Sequence, residues 1–129
     1  MTTATPSTLC ALVDAYCSVW SQPDPELRRQ QLLPVWASNA TYTDPTVHTT
    51  GIDELIEHIG KVLARRPGSR VERTSKVDGH HECARFAWHV VQADGTSLPE
   101  GIDFLEINDD GKIQRIVGFF GPLEKRAKH

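Results

Sequence analysis

Asp44 stands immediately before Pro45 at the end of the run Trp36-Ala37-Ser38-Asn39-Ala40-Thr41-Tyr42-Thr43-Asp44-Pro45. A proline biases the residue before it toward extended backbone. The carboxylate is thereby placed at the end of a short strand, where it can serve as a general base or bond its own turn. Asp103 is the second unusual acid, because it interrupts the apolar run Gly101-Ile102-Asp103-Phe104-Leu105. Aspartate is disfavoured in mid-strand and costly to bury ionised. Turned inward it must be protonated, paired or functional; turned outward it would pair with Arg85 or Arg115 of a neighbouring strand. Tyr16 shares a helical stripe with Leu12 and Val13, so its hydroxyl points inward and needs a partner. Among the histidines, His48 follows Asp44 on a loop and His58 lies on a helix that lines the interior; either could shuttle a proton. His80 and His81 are adjacent beside a turn, alternate faces, and so do not converge on a metal. His89 has the parity of Arg85, opposite to Phe86 and Trp88, which puts it on the outer face.

The elements that must position these residues follow from periodicity. Pro6-Ser7-Thr8 opens a helix whose stripe is Leu9, Leu12, Val13, Tyr16 and Trp20. Asp24-Pro25 is an N-cap followed by proline at the first helical position, and the second helix carries Leu27, Leu32, Leu33, Val35 and Trp36, with Pro34 inside it expected to kink or interrupt it. After the loop from Thr46 to Thr50, Gly51-Ile52-Asp53-Glu54 starts a third helix with Ile52, Leu55, Ile56, Ile59, Val62 and Leu63 inward, ended by Pro67-Gly68. Acidic residues in its first turn and Lys61, Arg65 and Arg66 in its last suit the helix dipole. The remainder reads as strands over Val71–Val77, Glu82–Val91, Glu100–Ile107 and Lys112–Phe120, with turns at Asp78-Gly79, Asp94-Gly95 and Asn108-Asp109-Asp110-Gly111. Helices followed by a strand meander make an α+β fold.

Alternation fixes the faces of the last strands. Asp103, Leu105 and Ile107 share one, Ile102, Phe104 and Glu106 the other; Ile116, Gly118 and Phe120 alternate with Arg115, Val117 and Phe119. Both faces carry bulky apolar groups. One covers the helices, and a second copy of the chain is the economical cover for the other, so a homodimer through the sheet is expected.

Composition bounds the function. The chain has 129 residues, enough for one domain (1–129) with its own core, and 39% of them are hydrophobic. A formal net charge of -3 argues against nucleic acid and membrane surfaces as partners. No apolar run approaches a membrane span, and Met1 to Pro6 lacks the pattern of a secretory signal. Cys10, Cys17 and Cys83 have no CxxC spacing, so neither disulfides nor a metal site are expected, and the protein is expected in the cytoplasm.

Four features together resemble a known superfamily. They are Tyr16 on the first helix, Trp36-x-x-x-Ala40-x-Tyr42-x-Asp44-Pro45, Gly51-Ile52-Asp53-Glu54-Leu55, and Gly111-Lys112-Ile113-x-Arg115-Ile116-Val117-Gly118-Phe119-Phe120. They are similar to the nuclear transport factor 2-like (NTF2-like) superfamily, in its SnoaL-like and ketosteroid-isomerase-like branch, over nearly the whole chain. The resemblance implies a cone, the cystatin-like roll: a curved antiparallel sheet wrapped around three N-terminal helices, enclosing an apolar small-molecule pocket and usually dimeric. Carried over residue by residue, it makes Asp44 the proton-shuttling base, Tyr16 an oxyanion donor and Asp103 a protonated second donor. Pocket residues on the same likeness are Trp36, His58, Trp88, Leu105, Ile116 and Phe120. The chemistry implied is isomerase- or cyclase-type proton transfer α to a carbonyl, without cofactor or metal. Three departures stand out: a longer connection near Gln22 to Glu26, Trp36 and Ile59 where the isomerase tunes its oxyanion tyrosine with further tyrosines, and His58 at an aromatic position. The same superfamily hosts non-catalytic members, so the alternative is a small-molecule-binding or dimerisation domain.

Overall fold

In a computed structural model, which describes residues 6–127, the element order is α1 (Pro6–Val19), α2 (Pro25–Leu32), β1 (Trp36–Asp44), β2 (Val47–Thr50), α3 (Gly51–Arg65), β3 (Arg70–Arg73), β4 (Asp78–His80), β5 (Cys83–Val91), β6 (Gly101–Ile107) and β7 (Ile113–Phe120). The strands form one curved, unclosed sheet in the order β2-β1-β7-β6-β5-β3, with β4 pairing β5. The sheet is mixed, not purely antiparallel, because β1 runs parallel to β7. Their pairing jumps from Trp36↔Ile113 to Thr41↔Arg115, an irregularity of the bulge kind within β1.

Three local readings are corrected. Leu32, Leu33, Val35 and Trp36 suggest a continuing helix, but α2 ends at Leu32 and Trp36 opens β1. Pro34 is the reason: it has no N–H for the helical ladder, and its ring collides with the preceding turn. The expected loop around His48 is strand β2, paired Thr43↔His48 and Asp44↔Val47. The expected turn at Asp78-Gly79 belongs to β4, and the chain reverses at His81 and Glu82, with φ of 49° and 63°. Those are the left-handed angles of a tight hairpin, made here by residue types that do not signal it. The Asp24 cap forms as read, its side chain accepting from the Glu26 N–H.

The inward face of the sheet meets α1 and α3. Leu105 of β6 pairs with Ile116 of β7, and both are fully buried with Ile113, Val13, Leu55 and Ile59. Asp103 is on the same face, one pair further along. The outward face is different: Ile102 and Phe119 pair with one another and are 44% and 61% exposed.

Candidate functional site

A cavity of about 730 Å³ lies between the sheet and helices α1 and α3, of a size that suits a small organic ligand. Its polar lining gathers Tyr16, Tyr42, Asp44, His58, Trp88 and Asp103.

Asp44 ends β1, and its side chain is 3% exposed. Its Oδ1 accepts from the Thr46 N–H (2.7 Å), the Thr46 hydroxyl (2.6 Å) and the Val47 N–H (3.1 Å). These bonds close the β1–β2 turn, so Asp44 does bond its own backbone. They occupy one oxygen and leave Oδ2 to face Tyr42 and His58. Oδ2 accepts the Tyr42 hydroxyl at 2.6 Å and lies 3.9 Å from His58 Nε2. The His58 ring packs edge-on to Trp20 and beside Tyr42. Burial lowers the His58 pKa, Asp44 opposes that, and the positive charges of Arg65 and Lys61 add to it. A neutral imidazole beside Oδ2 can accept a proton from it.

Asp103 projects inward from β6 at 4% exposure, and its Oδ1 accepts the Trp88 indole N–H at 2.8 Å. Arg85 and Arg115, the outward alternatives, pair with Asp78 and Glu106 instead. Burial raises the Asp103 pKa to about 7; the Trp88 bond pulls it down and the Asp44 charge pushes it up. The two acids are close because Gly118 lies between them: it pairs with Asp103 on one side, and its neighbour Val117 pairs with Thr43 on the other. A Cβ on Gly118 would lie 2.7 Å from Asp103 Oδ1 and 3.7 Å from Asp44 Cβ. Any larger residue there would push the Asp103 carboxyl aside.

Tyr16 sits on the inner face of α1, 2% exposed, stacked on Trp36. Its hydroxyl meets no hydrogen-bond partner of good geometry, the Trp20 indole approaching it only loosely. Burial holds its pKa well above the usual phenol value, and the charges of Asp103 and Tyr42 add to that. Burial likewise raises the Tyr42 pKa and pushes the Cys17 thiol up to about 12, so neither is an anionic nucleophile at neutral pH.

Of the residues singled out from sequence, the cavity brings together Tyr16, Asp44, His58, Trp88, Asp103 and Phe120. Trp36, Leu105 and Ile116 do not line it. Trp36 stacks on Tyr16, and Leu105 and Ile116 are fully buried in the core cluster. Strand parity tells which side of a sheet a residue faces, not how closely helices pack onto it. His48 binds Thr43 at the outer edge, and His89 faces Glu72. His80 and His81 touch each other through Nδ1 on the exposed hairpin. Among the described residues no three potential ligands converge on a metal position. Tyr42 was missed, although its signal was present: two residues from Asp44 on one strand, it must share its face.

A family model for the SnoaL-like domain matches residues 13–116. The chain belongs to the SnoaL-like family. Among solved structures, a SnoaL-like family protein from Agrobacterium tumefaciens, provisionally described as an isomerase, is 29% identical. It superposes with a TM-score of 0.83 over 88% of this chain and 97% of its own. A protein provisionally described as a polyketide cyclase, from Sinorhizobium meliloti, is 16% identical (TM-score 0.69, over 89% and 99% of the two chains). A protein of unknown function with a cystatin-like fold, from Methylobium petroleophilum, is 12% identical (TM-score 0.77, over 98% and 84%). The last two are likenesses of fold alone. No curated protein sequence matches the chain. No helix among the described residues is long and apolar enough to cross a membrane.

Proposed function

We propose that this SnoaL-like protein moves a proton α to a carbonyl of an apolar small molecule, as an isomerase or cyclase, using only its own acid–base groups. The observation that carries the reading is the buried, unpartnered Tyr16 hydroxyl on the same cavity wall as Asp44 and Asp103. An orphaned buried hydroxyl is costly unless a ligand satisfies it. Asp44 Oδ2 takes the α-proton, the C–H pair becomes the new C=C bond, and the carbonyl π pair moves onto oxygen. Tyr16 and protonated Asp103 donate to that oxygen, and Asp44 returns the proton to another carbon of the enolate. The provisional isomerase description of the Agrobacterium relative agrees with this chemistry. The experiment is exchange of α-hydrogens of apolar ketones and lactones into D2O, followed by NMR. Protein-dependent exchange is expected. Saturable binding without any exchange would instead favour a binding domain.

We also infer that two copies pair through the outer sheet face, where Ile102 and Phe119 lie side by side and exposed. Burying such a patch is favourable by about 25 cal/mol per Å² of apolar surface. Sedimentation velocity is expected to give a dimer and Phe119→Glu a monomer; a monomeric parent protein at micromolar concentration would remove the inference.

A further inference from the structure

The far part of the cavity wall has a charge of its own. Val62, Arg65, Arg66 and Ser69 continue the lining beyond His58. His58, Val62 and Arg65 stand at i, i+4 and i+7 on α3 and so share one helix face. At 1.5 Å per residue, Arg65 lies roughly 10 Å along the axis from the histidine beside Asp44. The same wall also carries the apolar side chains of Val71, Phe86, Val90 and Leu98.

The arginines of this wall carry no acid partner among the described residues; Arg28 and Arg126 pair with no carboxylate there either, but they do not line the cavity. Arg29, Arg70, Arg73, Arg85 and Arg115 each pair with a carboxylate. Arg65 and Arg66 meet none among the described residues; Arg66 Nη1 donates only to the neutral Gln92 amide at 3.0 Å. Among the described residues, the only acids on the cavity wall are Asp44 and Asp103. Two guanidinium groups without acids, on a partly apolar wall, are suited to a planar oxyanion, which they can bind with paired N–H donors.

We propose that the cavity takes an amphiphilic carbonyl compound with a carboxylate or phosphate about 10 Å from the reacting carbonyl, held by Arg65 and Arg66. The proposal rests on the proton-transfer reading for where the carbonyl sits. It adds selectivity: the anionic end fixes the register of the chain, so that the α-carbon stops at Asp44. A purely apolar ketone lacks that anchor and would slide.

The test uses an ω-oxo fatty acid of matching length, its methyl ester and the corresponding phosphate monoester. Binding is followed by quenching of tryptophan fluorescence, since Trp20 and Trp88 line the cavity. The expected result is that an anionic probe binds roughly tenfold tighter than the ester, with the advantage shrinking at high salt. The stronger of the carboxylate and phosphate arms identifies the anion. Arg65→Ala/Arg66→Ala should remove the advantage, so that acid and ester bind alike; Arg65→Lys/Arg66→Lys should keep part of it. Both side chains are exposed, so the variants keep the core intact. Equal binding of acid, phosphate and ester, or a preference that survives the double alanine variant, overturns the proposal. Equal affinities accompanied by α-hydrogen exchange would leave the proton-transfer reading standing alone. An anion preference without exchange would do the reverse, and no binding by any probe sinks both.

Discussion

Asp103→Asn is expected to widen the protein's stability advantage over the parent by on the order of 3 kcal/mol between pH 5 and pH 8. The sign follows from the direction of the shift. The folded-state pKa of Asp103 is raised to about 7 from an ordinary 3.8, so the folded protein binds a proton more tightly than the unfolded chain. The stability linked to that proton is fully present below about pH 4 and is lost as pH rises through 7. Each pH unit in that window costs about 1.4 kcal/mol, and the pH 5 to 8 interval contains about two units of it. Asparagine never ionises, and its Oδ1 can still accept the Trp88 indole N–H that Asp103 accepts at 2.8 Å. His58 titrates in the opposite sense, its folded pKa being lowered, but it is present in both proteins and largely cancels from the difference. Urea unfolding at several pH values makes the comparison. Parallel stability profiles for parent and variant would show that Asp103 is not held protonated by its surroundings. Activity should report the same group, because an ionised Asp103 cannot donate to an oxyanion; the parent's exchange rate is expected to fall above pH 7.

The residues most legible in the sequence were those whose local pattern and global role agree. The Asp24-Pro25 start of α2, the α3 stripe and the common face of Asp103, Leu105 and Ile107 are all set by short-range chemistry, and all three hold. Where a tertiary constraint overrides the local pattern, the sequence misleads. The apolar spacing through Trp36 reads as helix, yet the strand wins because Pro34 forbids the ladder and β7 offers Ile113 as a partner. The parallel pairing of β1 with β7 joins elements about seventy residues apart, and no local signal encodes it. The same separation explains the site. Nothing in the sequence says that Gly118 would face both Asp44 and Asp103; that follows from registers on three strands. Nor could parity tell that Leu105 and Ile116 are sealed in the core while Asp103, on the same face, opens on the cavity. The arginines at the far wall read as ordinary helix-end charges until their missing acid partners are seen in space.

Asp44→Asn is expected to lower α-hydrogen exchange by about a thousandfold, within the range a positioned general base supplies. The fold should survive the change. With the asparagine Oδ1 toward the Thr46 and Val47 N–H groups, the turn bonds that Asp44 makes at 2.7 and 3.1 Å can persist. The side-chain NH2 then replaces Oδ2 and faces the Tyr42 hydroxyl, which can rotate from donating to accepting. What is lost is the one oxygen that can take a proton from carbon while standing 3.9 Å from His58 Nε2. A second consequence separates loss of the base from simple damage. Asp44 is one of the groups that push the Asp103 pKa up, so removing its charge should move the Asp103 titration to lower pH. The variant is therefore expected to bind ligand with nearly parental affinity, to exchange α-hydrogens poorly, and to show its pH-dependent loss of stability at lower pH. Full exchange activity would rule out Asp44 as the base. Weakened ligand affinity with an unmoved Asp103 titration would reduce Asp44 to the residue that closes the β1–β2 turn.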